Sequence, residues 1–244
     1  MFRSLIFILF SMLISAPMLF AVGPVPQAGK QIEVKAVDDA TDNPSYNYLL
    51  FVPANYEKLA KWPLIIFLHG SGERGDSLDL VKKHGPPKIV DSKPEFEFIV
   101  LSPQVPSGER WEADKLVQLI DQVSKAAHVD ADRIYLTGLS MGGYGTWTTA
   151  AKYPERFAAI VPICGGGEPK TAEQLKSLPC WVFHGAKDSA VSLKKSEEMV
   201  DALKQAGAAP KFTVYPDAGH DSWTESYNNP ELYKWLLEQR RKSK

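Results

Sequence analysis

The chain alternates between short apolar runs and longer segments in which apolar residues recur every three or four positions. Residues 46–52 (YNYLLFV), 63–68 (PLIIFL), 97–102 (EFIVLS), 133–137 (RIYLT), 157–163 (FAAIVPI), 180–184 (CWVFH) and 211–215 (KFTVY) read as strands. The unbroken apolar character of 63–68 marks a strand buried on both faces. Pro53 and Pro103 read as strand stops, because proline cannot donate to a ladder. Between the strands, Ala113, Leu116, Val117, Ile120, Val123 and Ala127 share one face of a helix over 112–127. Residues 142–152 read as a helix stopped before Pro154, and 192–206 as a helix ended by Gly207. Asn229 followed by Pro230 supplies a cap and a first-turn proline for a last helix with Leu232, Trp235 and Leu236 on one side. Strands alternating with helices predict an α/β fold, with a mostly parallel central sheet and helices on both faces.

Composition adds bounds rather than chemistry. The 244 residues are 44% hydrophobic and 23% charged, which suits one domain with a sizeable core. A formal net charge of -1 offers no basic field, so neither nucleic acid nor a stable membrane partner is expected. Residues 1–22 read as a signal peptide. Arg3 precedes an apolar run over 5–22 that is interrupted only by Ser11, Ser15 and Pro17, with Ala21 and Gly23 as small residues for cleavage. An uncleaved anchor is the alternative. The expected location is therefore the periplasm or the exterior. Residues 23–44 read as a linker and N-terminal edge segment, and 45–241 as the catalytic domain. Export permits a disulfide, but Cys164 falls at the end of one strand and Cys180 at the start of the next. A five-residue strand is about 17 Å long, whereas bridged Cα atoms lie within about 7 Å. Two free thiols are expected.

The segment Gly138-Leu139-Ser140-Met141-Gly142-Gly143 follows a predicted strand and precedes a predicted helix. A sharp strand-to-helix turn presents a serine hydroxyl at the carboxyl edge of the sheet. It crowds the positions two before and two after, where glycine stands. The helix that follows aims free N–H groups at the same point. A nucleophilic serine needs a base, and His220 follows the last strand in Gly219-His220-Asp221-Ser222-Trp223. His69 and His184 end buried strands, His84 lies before Pro86 and His128 ends a helix, so packing or loop support is expected of them. Asp188, in His184-Gly185-Ala186-Lys187-Asp188, follows a strand between serine and histidine in chain order and is the candidate that orients the base. Asp217 and Asp221 are its rivals, each more suited to shaping the histidine loop.

The glycine-rich turn Leu68-His69-Gly70-Ser71-Gly72-Glu73-Arg74-Gly75 can aim a backbone N–H at a developing oxyanion. Ser71 is the expected donor, with Met141 as the second. Glu73 and Arg74 can pair with each other, hold the loop or contact substrate, and loop support is the favoured role. Trp223, Trp111, Gln104 and Tyr144 are the candidate substrate contacts, whereas Trp147 is read as core.

Together, the HGSGERG loop, GLSMGG, HGAKD and GHDSW resemble bacterial serine esterases of the α/β-hydrolase superfamily. The similar groups are dienelactone-hydrolase-like and phospholipase/carboxylesterase-like proteins and the prolyl-oligopeptidase catalytic domain. The resemblance covers roughly residues 45–240. It implies a sheet of eight or slightly fewer strands, a triad at Ser140, Asp188 and His220, and no metal or organic cofactor. Two departures matter: dienelactone hydrolases carry a cysteine where Ser140 stands, and there is no room for the propeller of large prolyl peptidases. Short connections imply no large lid. The expected activity is hydrolysis of carboxylic esters through an acyl-enzyme, on small esters or on feruloyl or acetyl groups of polysaccharides. A serine peptidase using the same site, or a non-catalytic binding protein on the same fold, remains open, and the chain leaves the oligomeric state undefined.

Overall fold

The structure is a computed structural model and describes residues 26–36 and 46–241. The segment read as an export signal lies outside the described residues. In chain order the elements are β1 (Gln31–Val34), β2 (Asn47–Phe51), β3 (Trp62–Leu68), α1 (Gly85–Val90), β4 (Ile99–Gln104), α2 (Ala113–Ala126), β5 (Val129–Leu139), α3 (Met141–Lys152), β6 (Ala159–Ile163), α4 (Ala172–Leu175), β7 (Trp181–Gly185), α5 (Lys194–Gln205), β8 (Lys211–Tyr215), α6 (Trp223–Asn228) and α7 (Pro230–Glu238).

The strands form one eight-stranded sheet in the order β1-β2-β4-β3-β5-β6-β7-β8. β1, β2 and β4 pair antiparallel, and every later neighbour is parallel. This is the α/β-hydrolase arrangement. Alternate residues of the central strands face opposite layers. Leu64, Ile66, Leu136 and Val182 pack on the side that holds Leu116, Ile120, Trp147, Met199 and Leu203, from α2, α3 and α5. Ile65, Phe67, Tyr135 and Phe183 pack on the other side against Tyr227, Leu232 and Leu236, from α6 and α7. Burial on both faces is what the unbroken apolar run at 63–68 predicts.

Most predicted elements lie within two residues of the observed ones, and β8 coincides with its predicted span. The cap at Asn229 forms as expected, its side chain accepting the Glu231 N–H at 3.0 Å. Pro103 does not stop β4. It pairs with Tyr48 of β2, while the ladder to β3 ends at Leu101, so its missing N–H interrupts no bond on that side. β1 lies inside the segment read as linker and edge, so the sheet begins upstream of residue 45. The connection over 164–180 holds only a 3-10 turn and the four-residue α4, so among the described residues it forms no large lid over the carboxyl edge. Cys164 and Cys180 are free and buried.

Leu136 is fully buried in the middle of the central strand, whereas Leu59 is 46% exposed. Leu136→Ala is expected to destabilise the fold by about 3 kcal/mol through lost contact and a residual cavity. Leu59→Ala should stay within about 0.5 kcal/mol of the parent. Urea unfolding of both variants checks the contrast, with the slope unchanged in each.

Candidate active site

Ser140 stands at the junction of β5 and α3 with φ 52° and ψ -116°, in the left-handed half of conformational space. Such a backbone costs a non-glycine residue roughly 1–3 kcal/mol and persists only where the surroundings hold it. The surroundings here are close. A Cβ on Gly138 would overlap the Gly142 carbonyl, and one on Gly142 would overlap the carbonyl oxygen of Leu68. The two glycines therefore let strand, turn and helix close around the serine. Its own N–H donates to Ile163 O at 3.0 Å, which ties the turn to the end of β6.

The structure brings Ser140, His220 and Asp188 together. His220 Nε2 lies 2.9 Å from Ser140 Oγ, and His220 Nδ1 lies 2.7 Å from Asp188 Oδ2. The other carboxylate oxygen of Asp188 accepts the N–H groups of Ala190 and Val191 at 2.9 and 2.8 Å. Burial of the side chain alone would push the Asp188 carboxyl up. The hydrogen bond from His220 and those from Val191 and Ala190 outweigh it and hold the carboxyl below the usual range. It is thus an anion beside the imidazole, which makes Nδ1 the protonated ring nitrogen and leaves Nε2 to accept from the serine hydroxyl. The rival acids are engaged elsewhere. Asp217 pairs with Lys187 at 2.6 Å, and Asp221 accepts the Thr224 N–H in the first turn of α6. His184 is buried behind the acid, within 2.9 Å of Val191 O and 3.2 Å of Asp188 Oδ2, and braces the loop.

Ser71 opens a 3-10 turn after β3, and Met141 is the first residue of α3. An N–H at the first position of a helix has no acceptor within the helix. His69 determines how the Ser71 N–H is presented. Its Nε2 lies 3.0 Å from the Val105 N–H and must accept, so Nδ1 carries the proton and donates to Gly70 O at 2.6 Å. Because the peptide bond is trans, holding the Gly70 carbonyl on one side aims the Ser71 N–H to the other. Burial pushes the His69 imidazole down to about 4, against the Gly70 bond and with a smaller push from the Arg74 charge. It is neutral at neutral pH.

The remaining predicted residues divide. Trp223 is half-buried, its ring edge-on to His220 at 5.2 Å and to His84 at 5.4 Å. Tyr144 is 37% exposed on the first turn of α3. Two assignments are corrected. Gln104 is buried, and its amide donates to Glu73 O and Ser77 O at 2.9 and 2.8 Å, so it braces the loop after β3. Trp111 is buried against Gly145, with Nε1 on His69 O at 3.2 Å, and belongs to the core beneath that loop. Both lie near a sheet-edge loop in sequence, but the antiparallel corner turns them inward. Trp147 is core, as read. Glu73 and Arg74 do not pair with each other. Arg74 instead holds Ser71 O and Glu109 O at 3.0 and 3.2 Å.

Sequence reasoning placed Cys164 at a strand end as a free thiol and did not place it beside Asp188 and His220. It adopts φ 40° just beyond β6, and its amide donates to Phe183 O at 2.9 Å. Among the described residues, Cys164, Asp188 and His220 form a group whose potential metal-ligating atoms lie within 4.8 Å of one another. Two of the three are already bonded to each other, and burial pushes the thiol up to about 12, so it is protonated at neutral pH.

The neutral buried ring of His69 has a stability signature. An imidazole that titrates near 6.5 when unfolded and near 4 when folded contributes stability that is complete above 6.5 and is lost as pH falls toward 4. Between pH 7 and pH 4 the parent should lose on the order of 3 kcal/mol more unfolding free energy than His69→Gln. Urea titrations at the two pH values measure this. Equal pH dependence in the two proteins would mean that the ring is not buried in its neutral form.

Comparison with known proteins places this architecture. A bifunctional acetylxylan esterase/xylanase of Neocallimastix patriciarum is 25% identical over 184 residues, covering 71% of this chain and 26% of that protein. A solved thermostable esterase superposes with a TM-score of 0.74 at 34% identity, covering 88% of this chain and 64% of that one. A ferulic acid esterase superposes with a TM-score of 0.63 at 20% identity, covering 85% of this chain and 95% of that one, a likeness of fold alone. The chain thus spans about a quarter of the first relative and less than two thirds of the thermostable esterase. The family model described as the dienelactone hydrolase family matches residues 91–233, more than half of the sequence, and with the eight-stranded sheet already described this chain belongs to that family.

Proposed function

We propose that this protein is an exported serine hydrolase that cleaves carboxylic esters through an acyl-enzyme. The observation that carries the reading is the unbroken hydrogen-bonded row from Ser140 through His220 to Asp188, at 2.9 and 2.7 Å, at the carboxyl edge of the sheet. His220 Nε2 takes the Ser140 proton as Oγ attacks the ester carbonyl carbon, and the carbonyl oxygen gains the negative charge. The N–H groups of Ser71 and Met141 receive that charge. The intermediate collapses, the alcohol leaves with the proton from His220, and the acyl group stays on Oγ. Water then attacks the acyl carbon, gives its proton to His220, and releases the acid while Ser140 recovers its hydrogen. Asp188 keeps the tautomer and stabilises the imidazolium at both stages. These steps draw only on the three side chains and the two N–H groups.

The acetylxylan esterase activity of one relative supports acetyl esters of polysaccharides as substrates, with feruloyl esters the second proposed class. The apolar N-terminal segment supports export to the periplasm or beyond. Tyr144 and Trp223 are the proposed aromatic contacts at the rim.

The test begins with p-nitrophenyl acetate and a fluorophosphonate probe. Hydrolysis and covalent labelling are expected in the parent, and Ser140→Ala should lose roughly 10⁴-fold or more in kcat together with the label. Retained hydrolysis in that variant would remove the reading. Matched ester and amide substrates separate an esterase from a peptidase using the same groups.

The proposed oxyanion donor at Ser71 is main chain, which makes a second contrast informative. Ser71→Ala should be mild. Ser71→Pro removes the N–H, and the extended backbone of Gly70, with ψ -179°, accepts a following proline. It should lower kcat by about 10²–10³-fold with little change in KM. Equal kinetics for the two variants would show that the donor lies elsewhere.

A further inference from the structure

One polar group beside Ser140 takes no part in the reaction described above. Glu73 is only 8% exposed. Its main chain is pinned, because its carbonyl accepts the Gln104 amide at 2.9 Å. The carboxylate points back toward the reacting centre. A Cβ placed on Gly70 would lie 3.1 Å from Glu73 Oε2 and 3.7 Å from Ser140 Cβ, so both groups border the same point. Arg74, the adjacent cation, is turned away to Ser71 O and Glu109 O. Among the described residues the ionisable group closest to the Glu73 carboxylate in an ion-pair geometry is His84, whose Nε2 lies 3.8 Å from Oε1. That is beyond hydrogen-bond length. Among the described residues no side-chain donor lies within hydrogen-bond distance of the carboxylate, so it keeps acceptor capacity for a donor that enters the site.

His84 also belongs to the wall of the site. Its ring meets the edge of Trp223 at 5.4 Å, and Trp223 in turn meets His220 at 5.2 Å. The three rings run from the base to Glu73. We propose that Glu73 and His84 form a recognition site for a neutral hydroxyl on the alcohol portion of the ester. The 3.8 Å gap sets the chemistry. One oxygen about 2.8 Å from each atom spans it, donating its hydrogen to Glu73 Oε1 and accepting from His84 in the tautomer that carries a hydrogen on Nε2. In that tautomer an ammonium group satisfies the carboxylate but offers no lone pair to His84. An anion satisfies His84 but is repelled by Glu73. A hydroxyl completes both. The alcohol side follows from the wall, because His220 returns its proton to the departing alcohol oxygen and Trp223 joins that base to His84. Alcohols carrying several hydroxyls, as sugars do, are the matching class.

The assignment rests on the ester-hydrolase reading, and the experiment separates the two. Initial rates are measured in a pH-stat for 2-hydroxyethyl acetate and propyl acetate, which share the acyl group and chain length and differ in a terminal hydroxyl against a methyl. The parent should favour the hydroxyl ester by about tenfold in kcat/KM, the value of one hydrogen bond to a charged group. Glu73→Gln, and separately His84→Phe, which keeps a ring against Trp223, should each lower that ratio at least fivefold. A ratio is read because a merely structural loss slows both esters alike. A parent ratio near one, or a ratio that survives in both variants, overturns the subsite. A preference that appears only with the hydroxyl on the acyl group, in ethyl 3-hydroxypropanoate against ethyl butanoate, overturns its placement on the alcohol side. Failure of the parent to hydrolyse either acetate, or hydrolysis that persists in Ser140→Ala, removes the ester-hydrolase reading instead.

Discussion

At the carboxyl edge of the sheet, main-chain hydrogen bonds cross the strand ends in steps. The Ser140 amide donates to Ile163 O, the Cys164 amide to Phe183 O, and the Ala186 amide to Tyr215 O. Each bond joins the residue just beyond one strand to the next strand over. The row begins at the serine and ends at the strand that leads to His220. Leu139 pairs with Ile163, Ile163 with Phe183, and Gly185 with Tyr215, so the register of four parallel strands sets the spacing of the loops that leave them. A slip of one residue would turn each side chain to the opposite face. The burial of both faces prevents it, since alternate residues fill two separate cores.

The sheet fixes where the loops start, and local polar bonds fix where they go. Asp188 shows how little freedom remains. One of its oxygens is held by two amides and the other by the imidazole of His220, with His184 behind. The loop after β3 is held as firmly by Gln104 from below, His69 through the Gly70 carbonyl and Arg74 from outside. None of these three needs to touch a substrate to matter. They hold the N–H of Ser71, and Glu73 two residues later, in a fixed relation to Ser140. A preorganised donor is worth more than a mobile one, because it needs no reorganisation when charge develops.

Strain is concentrated at two neighbouring strand ends, Ser140 and Cys164, the two non-glycine residues with positive φ among those described. Both begin the loops that enclose the site, and the amide of each is bonded to the adjacent strand. The thiol of Cys164 sits close to the acid and the base yet is kept protonated by burial. It packs against the polar row without competing for its protons.

The division between sequence and tertiary structure follows from the range of the forces involved. Strand and helix identities were legible because burial on two faces demands unbroken apolar runs at 63–68 and a 3.6-residue spacing at 112–127, both local patterns. The elbow at 138–142 was legible because only glycine tolerates backbone contact that close, and Asn229 with Pro230 marked a helix start by their own geometry. The candidacy of Ser140, Asp188 and His220 came from their order after successive strands. Pairing, in contrast, is long-range. That Pro103 could remain within a strand depended on where the ladder to β3 ended. That Gln104 and Trp111 turn inward, while Glu73 faces the reacting centre with His84 beside it, depended on how β3, β4 and α6 come together. No spacing along the chain encodes a 3.8 Å gap between residues 73 and 84. Only the folded sheet, by closing the loops over one edge, decides which polar groups are satisfied from within and which are left to meet a substrate.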